Sequence, residues 1–325
     1  MVLLRLAILA AFGQSMTDFG IHTIDTGFQR PKFDAAYLIV ENGRGAFIDC
    51  GTKHSQPQML AALDAAGLVA SDVDWLILTH VHLDHAGGAG ALMQRLPNAN
   101  LVVHPRGARH MIDPSKLWAG ASAVYGEAEM QRSYGELVPV PAERVIEAGD
   151  GHVIELAGRA LEMADTPGHA AHHNCIWDAT SRSWFSGDTF GLSYREFDSP
   201  QGPFVIPTTS PVQFDPKALH ASIDRLQARQ PRAIYPTHFG RVEAIDAMAR
   251  ELHHDIDAMV ALALEHERQG EDHSQLVHAL QTLYVERAQH HGCRQSREQV
   301  LTLLATDIEL NAQGLEVWLQ RRRKH

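Results

Sequence analysis

The sequence predicts an α/β fold with a helical extension at its C-terminal end. Three observations carry that expectation. Up to about residue 240, short apolar or alternating runs trade places with segments of helical spacing. Several of those runs stop at Asp, Gly or His, residues that suit strand ends and turns rather than continued strands. Beyond Val242 no strand-like run occurs, and apolar residues recur at helical intervals instead. With 325 residues and 45% hydrophobic composition, the chain has room for one large domain plus a helical appendage. The expected division is an α/β domain over 17–240 and a helical cap or dimerisation region over 241–325.

The N-terminal stretch Met1 to Phe12 is apolar with one charge, too short to span a bilayer. It lacks a small-x-small cleavage site, and Met16 precedes the first strand-like segment. Residues 1–16 are therefore expected to be an extension or a start assigned too early, with export the minority reading. Strands are expected at 21–26, 35–41 and 45–50, the last two joined by Asn42-Gly43, a strong hairpin signal. Helical spacing over 55–68 leads to a buried strand, Trp75 to Leu78. After the turn that follows this strand, a helix is expected from about Ala86 to Leu96, stopped by Pro97, before a strand over 101–104. The segment 106–136 breaks the alternation. Its Trp118, Tyr125, Tyr134, Met111 and Met130 suit either the lining of a substrate pocket or a helical decoration packed on the body. Strands follow over 145–156 and 160–164, with Gly149-Asp-Gly151 as their turn, and then a hairpin over 175–177 and 183–186. A helix over 218–226 and a strand over 233–235 precede three helical patterns, at 242–260, 275–290 and 296–319.

Within this frame Leu78-Thr-His-Val-His-Leu-Asp-His-Ala-Gly-Gly88 concentrates His80, His82, Asp84 and His85 at the end of an apolar strand. With 21 histidines in the chain, an isolated His-x-His is cheap. Three histidines and an aspartate in one strand-to-helix turn are costly unless something binds them. Imidazole nitrogens and a carboxylate converging there suit a transition metal. Three further ligand-type residues each follow a strand: His169 in Thr-Pro-Gly-His, Asp188 in Ser-Gly-Asp and His238 in Pro-Thr-His.

These residues, in this order and with Ile48-Asp-Cys-Gly51 before them, resemble the metallo-beta-lactamase superfamily in its glyoxalase II-like branch. The resemblance spans roughly residues 20–240. It implies an αββα sandwich with two divalent metal ions, zinc or iron with manganese as a third option, at one edge. It implies His80, His82 and His169 on one ion, Asp84, His85 and His238 on the other, and Asp188 bridging. It also implies hydrolysis by a hydroxide held between the ions, with Asp84 as the catalytic residue that orients it. His172 and His173 are expected to support or surround the ligands, and His104 to be a hydrogen-bonded structural residue.

A helical cap also occurs in a related iron-binding thioesterase, so an acyl thioester or ester is the expected small-molecule substrate. The basic glutathione-binding pattern of glyoxalase II is not found. Lactonase, phosphodiesterase, single-iron sulfur dioxygenase and a regulatory binding protein are the alternatives. Tyr194 and Arg195, just after Asp188, are candidates for substrate contact, with pairing of Arg195 to Glu196 or Asp198 equally weighted. The net charge of −11 argues against a nucleic-acid surface, leaving only the basic run Arg321 to Lys324. No membrane partner is expected, and a homodimer through the C-terminal helices is open. Three scattered cysteines, Cys50, Cys175 and Cys293, fit a reducing, cytoplasmic compartment.

Overall fold

A computed structural model describes residues 18–210, 213–270 and 272–324. The expectation for residues 1–16 lies outside the described residues. Two sheets lie face to face. The first runs β1 (Ile21–Asp25), β2 (Ala35–Glu41), β3 (Arg44–Ile48), β4 (Val73–Ile77), β5 (Asn100–Val103) and β6 (Val145–Glu147) in spatial order. Its first three strands are antiparallel; β3 to β6 are parallel. The second contains β7 (Val153–Leu156), β8 (Arg159–Asp165), β9 (Asn174–Asp178), β10 (Ser183–Gly187) and β11 (Ala233–Pro236), with only β10 and β11 parallel.

Strand alternation divides the core into layers. From β2, Ala35, Tyr37 and Ile39 enter the inter-sheet core, where they meet Met163 of β8, Phe185 of β10 and Tyr235 of β11. Ala36 and Leu38 point the other way, onto the layer holding α1 (Gln56–Ala66), α2 (Leu83–Ala86) and α3 (Ala89–Met93). On the far side, Trp184 of β10 and Ile234 of β11 join the core of α7 (Pro216–Ala228), α8 (Ile245–Gln269), α9 (His273–His290), α10 (Arg297–Leu303) and α11 (Ala305–Arg322). The result is the αββα sandwich, and the C-terminal helices share one apolar core with its second outer layer. No helix among the described residues is long and apolar enough to cross a membrane.

The Asn42-Gly43 hairpin is present, with φ of 46° and 75°, as a two-residue primed turn requires. Four expectations need correction. The run 145–156 is two strands in different sheets: β6 pairs with β5, β7 pairs with β8, and Gly149-Asp-Gly151 carries the chain across. The hairpin turn is Ala157-Gly158, where alanine takes a positive φ of 48°. The helix expected up to Leu96 breaks at Gly87-Gly88, where the Gly88 N–H bonds to the Gly51 carbonyl at 2.9 Å and the close Thr52 backbone leaves no room for a Cβ. The pattern at 296–319 is two helices, broken at the buried Leu304.

The inserted segment forms α4 (Pro105–Ile112), α5 (Ser115–Tyr125) and α6 (Glu127–Ser133). Met111 and Met130 are buried, and Tyr134 packs on Phe28 at 5.4 Å between ring centroids. These three side chains pack on the body, while Arg106, Arg109, His110 and Leu117 of the same segment line a cavity that also reaches His82.

Candidate metal centre

Five strands of the two sheets run in register directions that bring their carboxyl ends to one edge, and the chemistry-bearing residues follow those ends. Asp49 follows β3, His80 to His85 follow β4, His169 follows β8, Asp188 follows β10, and His238 follows β11. Backbone pairing stops there, so side chains from distant segments can converge.

They do so in two groups. His80, His82, His169 and Asp188 each offer an atom to one cluster, and Asp84, His85 and His238 to a second, with each cluster's donor atoms within 4.8 Å of one another. His82 Nδ1 lies 2.8 Å from His80 Nε2 and 3.1 Å from His169 Nε2. In the second group, Asp84 Oδ2 lies 3.5 Å from His238 Nε2 and 3.8 Å from His85 Nε2. Asp188 faces both groups. Its Oδ2 is 3.3 Å from His169 Nε2, and its Oδ1 is 3.3 Å from His85 Nε2 and 3.8 Å from His238 Nε2. Donors about 2.0–2.2 Å from one tetrahedral ion are separated by roughly 3.3–3.6 Å. The spacings bracket that range.

The outward nitrogens are held in place. His85 Nδ1 is 2.9 Å from Asp49 Oδ2, His238 Nδ1 is 2.8 Å from the Phe33 carbonyl, His169 Nδ1 is 3.3 Å from the Thr208 carbonyl, and His80 Nδ1 is 3.2 Å from Thr79 Oγ1. Each carboxylate or carbonyl partner accepts the Nδ1 proton and so leaves the Nε2 lone pair facing the cluster. Burial, reinforced by neighbouring imidazoles, pushes His80 and His82 well below the ordinary histidine range, which keeps them neutral and able to donate a lone pair. Burial pushes Asp188 up, but His85 and His169 outweigh it and hold the carboxyl well below its usual range. Buried His85 Nε2 and Asp188 Oδ1 have no hydrogen-bond partner. Buried polar atoms without partners are costly, and a cation between them removes that cost. Imidazoles and carboxylates in this arrangement fit a transition-metal centre.

A family model of the metallo-beta-lactamase superfamily matches residues 30–238. The chain belongs to that superfamily. Among solved structures, an archaeal superfamily protein from Sulfolobus tokodaii aligns with a TM-score of 0.60 and 27% identity, covering 75% of this chain and 87% of that one. A hydroxyacylglutathione hydrolase of Acidiphilium cryptum is 29% identical over 237 residues, 72% of this chain and 75% of the relative. An atrochrysone carboxyl ACP thioesterase of Aspergillus fumigatus is 26% identical over 154 residues, 47% of this chain and 38% of that protein.

Of the remaining candidates around this superfamily centre, Tyr194 departs from the expected substrate contact, whereas His173 and His104 take the supporting and structural places expected of them. Tyr194 is 2% exposed, stacks on Phe33, and donates its hydroxyl to Asp307 Oδ1 of α11 at 3.1 Å. A buried phenol needs such a partner, so it is spent on the core rather than offered to a substrate. Arg195 gives its Nε to the Ser193 carbonyl and its Nη1 to Asp198, so the pairing alternative is the one observed. His173 is fully buried; the Asp188 backbone N–H donates to its Nε2 at 3.2 Å, which fixes the turn carrying that carboxylate. His104 caps α4 through Nδ1, which accepts from the Arg106 N–H, and its Nε2 reaches Asp165 at 3.4 Å.

Sequence reasoning passed over Asp49. Its carboxylate accepts from the Thr79 N–H at 2.8 Å, from the Thr79 and Thr237 hydroxyls, and from His85. The signal was present, as an acid ending an apolar strand in Ile48-Asp-Cys-Gly51. Asp34 had no such signal. Burial pushes its carboxyl up to about 7, and Thr26 Oγ1 donates to its Oδ2 at 2.8 Å.

Proposed function

We propose that this chain is a metal-dependent hydrolase of an acyl thioester or ester, working with two divalent ions, zinc or iron with manganese as a third option. His80, His82 and His169 would hold one ion and Asp84, His85 and His238 the other, with Asp188 shared. The observation that carries this reading is the placement of Asp188, whose two oxygens each lie 3.3 Å from an imidazole of a different donor group. When bound, the ions supply a water nucleophile at neutral pH and positive charge for the oxyanion that develops on the carbonyl.

The chain's own residues orient that chemistry. Burial pushes Asp84 up, but His85 and His238 outweigh it and hold its carboxyl down at about 2. Asp84 is therefore ionised at neutral pH and can only accept hydrogen bonds, so it aims the protons of the attacking water. Its side chain is 24% exposed against 7% for Asp188, which suits a group that meets solvent and substrate. The names of the hydroxyacylglutathione hydrolase and the ACP thioesterase support an acyl substrate. The free thiols Cys50, Cys175 and Cys293 support a cytoplasmic setting.

The test combines elemental analysis with turnover. Protein purified without added metal should carry about two equivalents of metal, and Asp188→Ala should lose both metal and thioester hydrolysis. A panel of thioesters, lactones and phosphodiesters discriminates the alternatives. Metal-replete protein that cleaves only the phosphodiester, or none of the panel, would overturn the proposal.

A further inference from the structure

A cavity of about 410 Å³ opens beside the candidate metal centre, with His82 in its wall. Its remaining walls come from α4, α5 and the segments after His169 and before α7. They include Arg106, Arg109, His110, Leu117, His172 and Gln213, and among the described residues no Asp or Glu lines it. That is unexpected in a chain with 39 acidic and 28 basic residues. Arg106 donates to the Ala171 carbonyl at 3.1 Å, and Gln213 accepts from the Ala171 N–H at 2.6 Å, so the wall is braced. Arg109 spends its Nε on His110 Nε2 at 3.3 Å. Neither arginine has a carboxylate partner among the described residues, whereas Arg44, Arg159, Arg229 and Arg287 all do. His172, 8% exposed, keeps its Nδ1 without a partner in the same wall.

From this placement we infer that the cavity is a subsite for an anionic group, a carboxylate or a phosphate, on the acyl or thiol part of the substrate. The inference rests on the hydrolase reading and names its substrate class. Two guanidinium groups left without acids offer planar, charge-assisted donors that match either anion. Leu117 and Val81 add an apolar wall for the carbon chain that joins the anion to the reacting carbonyl. A local basic cleft in an acidic protein also concentrates anionic substrate at the mouth of the site. A second cavity, of about 580 Å³, does not fit the role: it touches none of the seven donors, and its Arg132 is paired with Glu129.

Matched thioesters test this in the metal-loaded enzyme. S-glutaryl against S-pentanoyl N-acetylcysteamine isolates a carboxylate on the acyl side. S-pentanoyl phosphopantetheine against S-pentanoyl pantetheine isolates a phosphate on the thiol side. One charged partner of the two pairs should be preferred about tenfold or more in kcat/KM, as one or two charge-assisted bonds provide. Which pair shows it identifies the anion. In the Arg106→Gln/Arg109→Gln double variant that preference should fall to near unity, mostly through KM. Calorimetric titration with glutarate and with pantetheine 4′-phosphate should show affinity in the wild type that the double variant loses. Turnover with no charge preference, or a preference the double variant keeps, would overturn the subsite and leave the hydrolase reading intact. Anion affinity abolished by the double variant in a protein that cleaves no ester or thioester would sustain the subsite and sink the hydrolase reading.

Discussion

Replacing Asp49 by Asn should weaken one side of the metal centre and spare the other. Asp49 Oδ1 accepts from the Thr79 N–H at 2.8 Å, which forces the amide oxygen of an asparagine to take that place. The amide NH₂ then occupies the Oδ2 position, facing the Thr79 and Thr237 hydroxyls and His85 Nδ1, now at 2.8, 3.1 and 2.9 Å. The hydroxyls can turn to accept. His85 can accept at Nδ1 only by moving its proton to Nε2, the nitrogen that faces Asp188 and Asp84. A protonated Nε2 is no ligand. Loss of such a supporting partner lowers metal affinity about 10–100-fold, or about 1.4–2.7 kcal/mol. Zinc titration with a competing chelator, read by elemental analysis, should show the Asp49→Asn protein losing one equivalent first. His80, His82 and His169 do not touch Asp49 and should retain theirs. Both equivalents held at wild-type affinity, or both lost in step, would refute the tautomer argument.

Other expectations follow from the packing. Burial, offset in part by Arg287, raises the Asp255 carboxyl to about 6. The folded state therefore binds this proton more tightly than the unfolded chain, whose value is near 3.8, so its contribution to stability falls as pH rises from about 4 to 6, by about 3 kcal/mol. Urea unfolding across that window should show a shallower fall in Asp255→Asn than in the wild type. Gly168 has a φ of 133°, and a Cβ there would lie 2.4 Å from the backbone of Leu219. Gly168→Ala should cost about 2 kcal/mol or more and displace His169, seen as a lower Tm together with reduced metal content. Leu280→Ala, fully buried among the C-terminal helices, should cost about 2–5 kcal/mol by denaturant titration.

Much of the centre was legible because its residues announce themselves locally. His80 to His85 crowd one strand end, and His169, Asp188 and His238 each follow a short apolar run. The short runs of β2 and β10, buried on both faces, likewise gave the strands, since such a strand reads as a compact block bounded by turn residues. The boundaries that failed depend on distant packing. Gly87-Gly88 breaks a helix because the Gly51-Thr52 backbone crosses there and its Gly51 carbonyl takes the Gly88 N–H, and nothing near Gly88 in the chain says so. The split of 145–156 reflects a crossover between sheets, which no local pattern encodes. Tyr194 looked available because it follows Asp188, yet Asp307, 113 residues further along, claims its hydroxyl. The basic cleft escaped notice because Arg106 and Arg109 meet Gln213 only in the folded chain.

The braces of the site tie together residues very far apart along the chain: 205 positions separate Phe33 from His238, and 188 separate Asp49 from Thr237. A nascent polypeptide emerging from the ribosome thus carries the histidine-rich turn early but cannot close the centre until β11 docks beside β10. Closing such loops and pairing parallel strands are slow, non-local events. Completion of the donor set is consequently among the last events of folding, and truncated or half-synthesised products that stop short of His238 lack a residue of its second group.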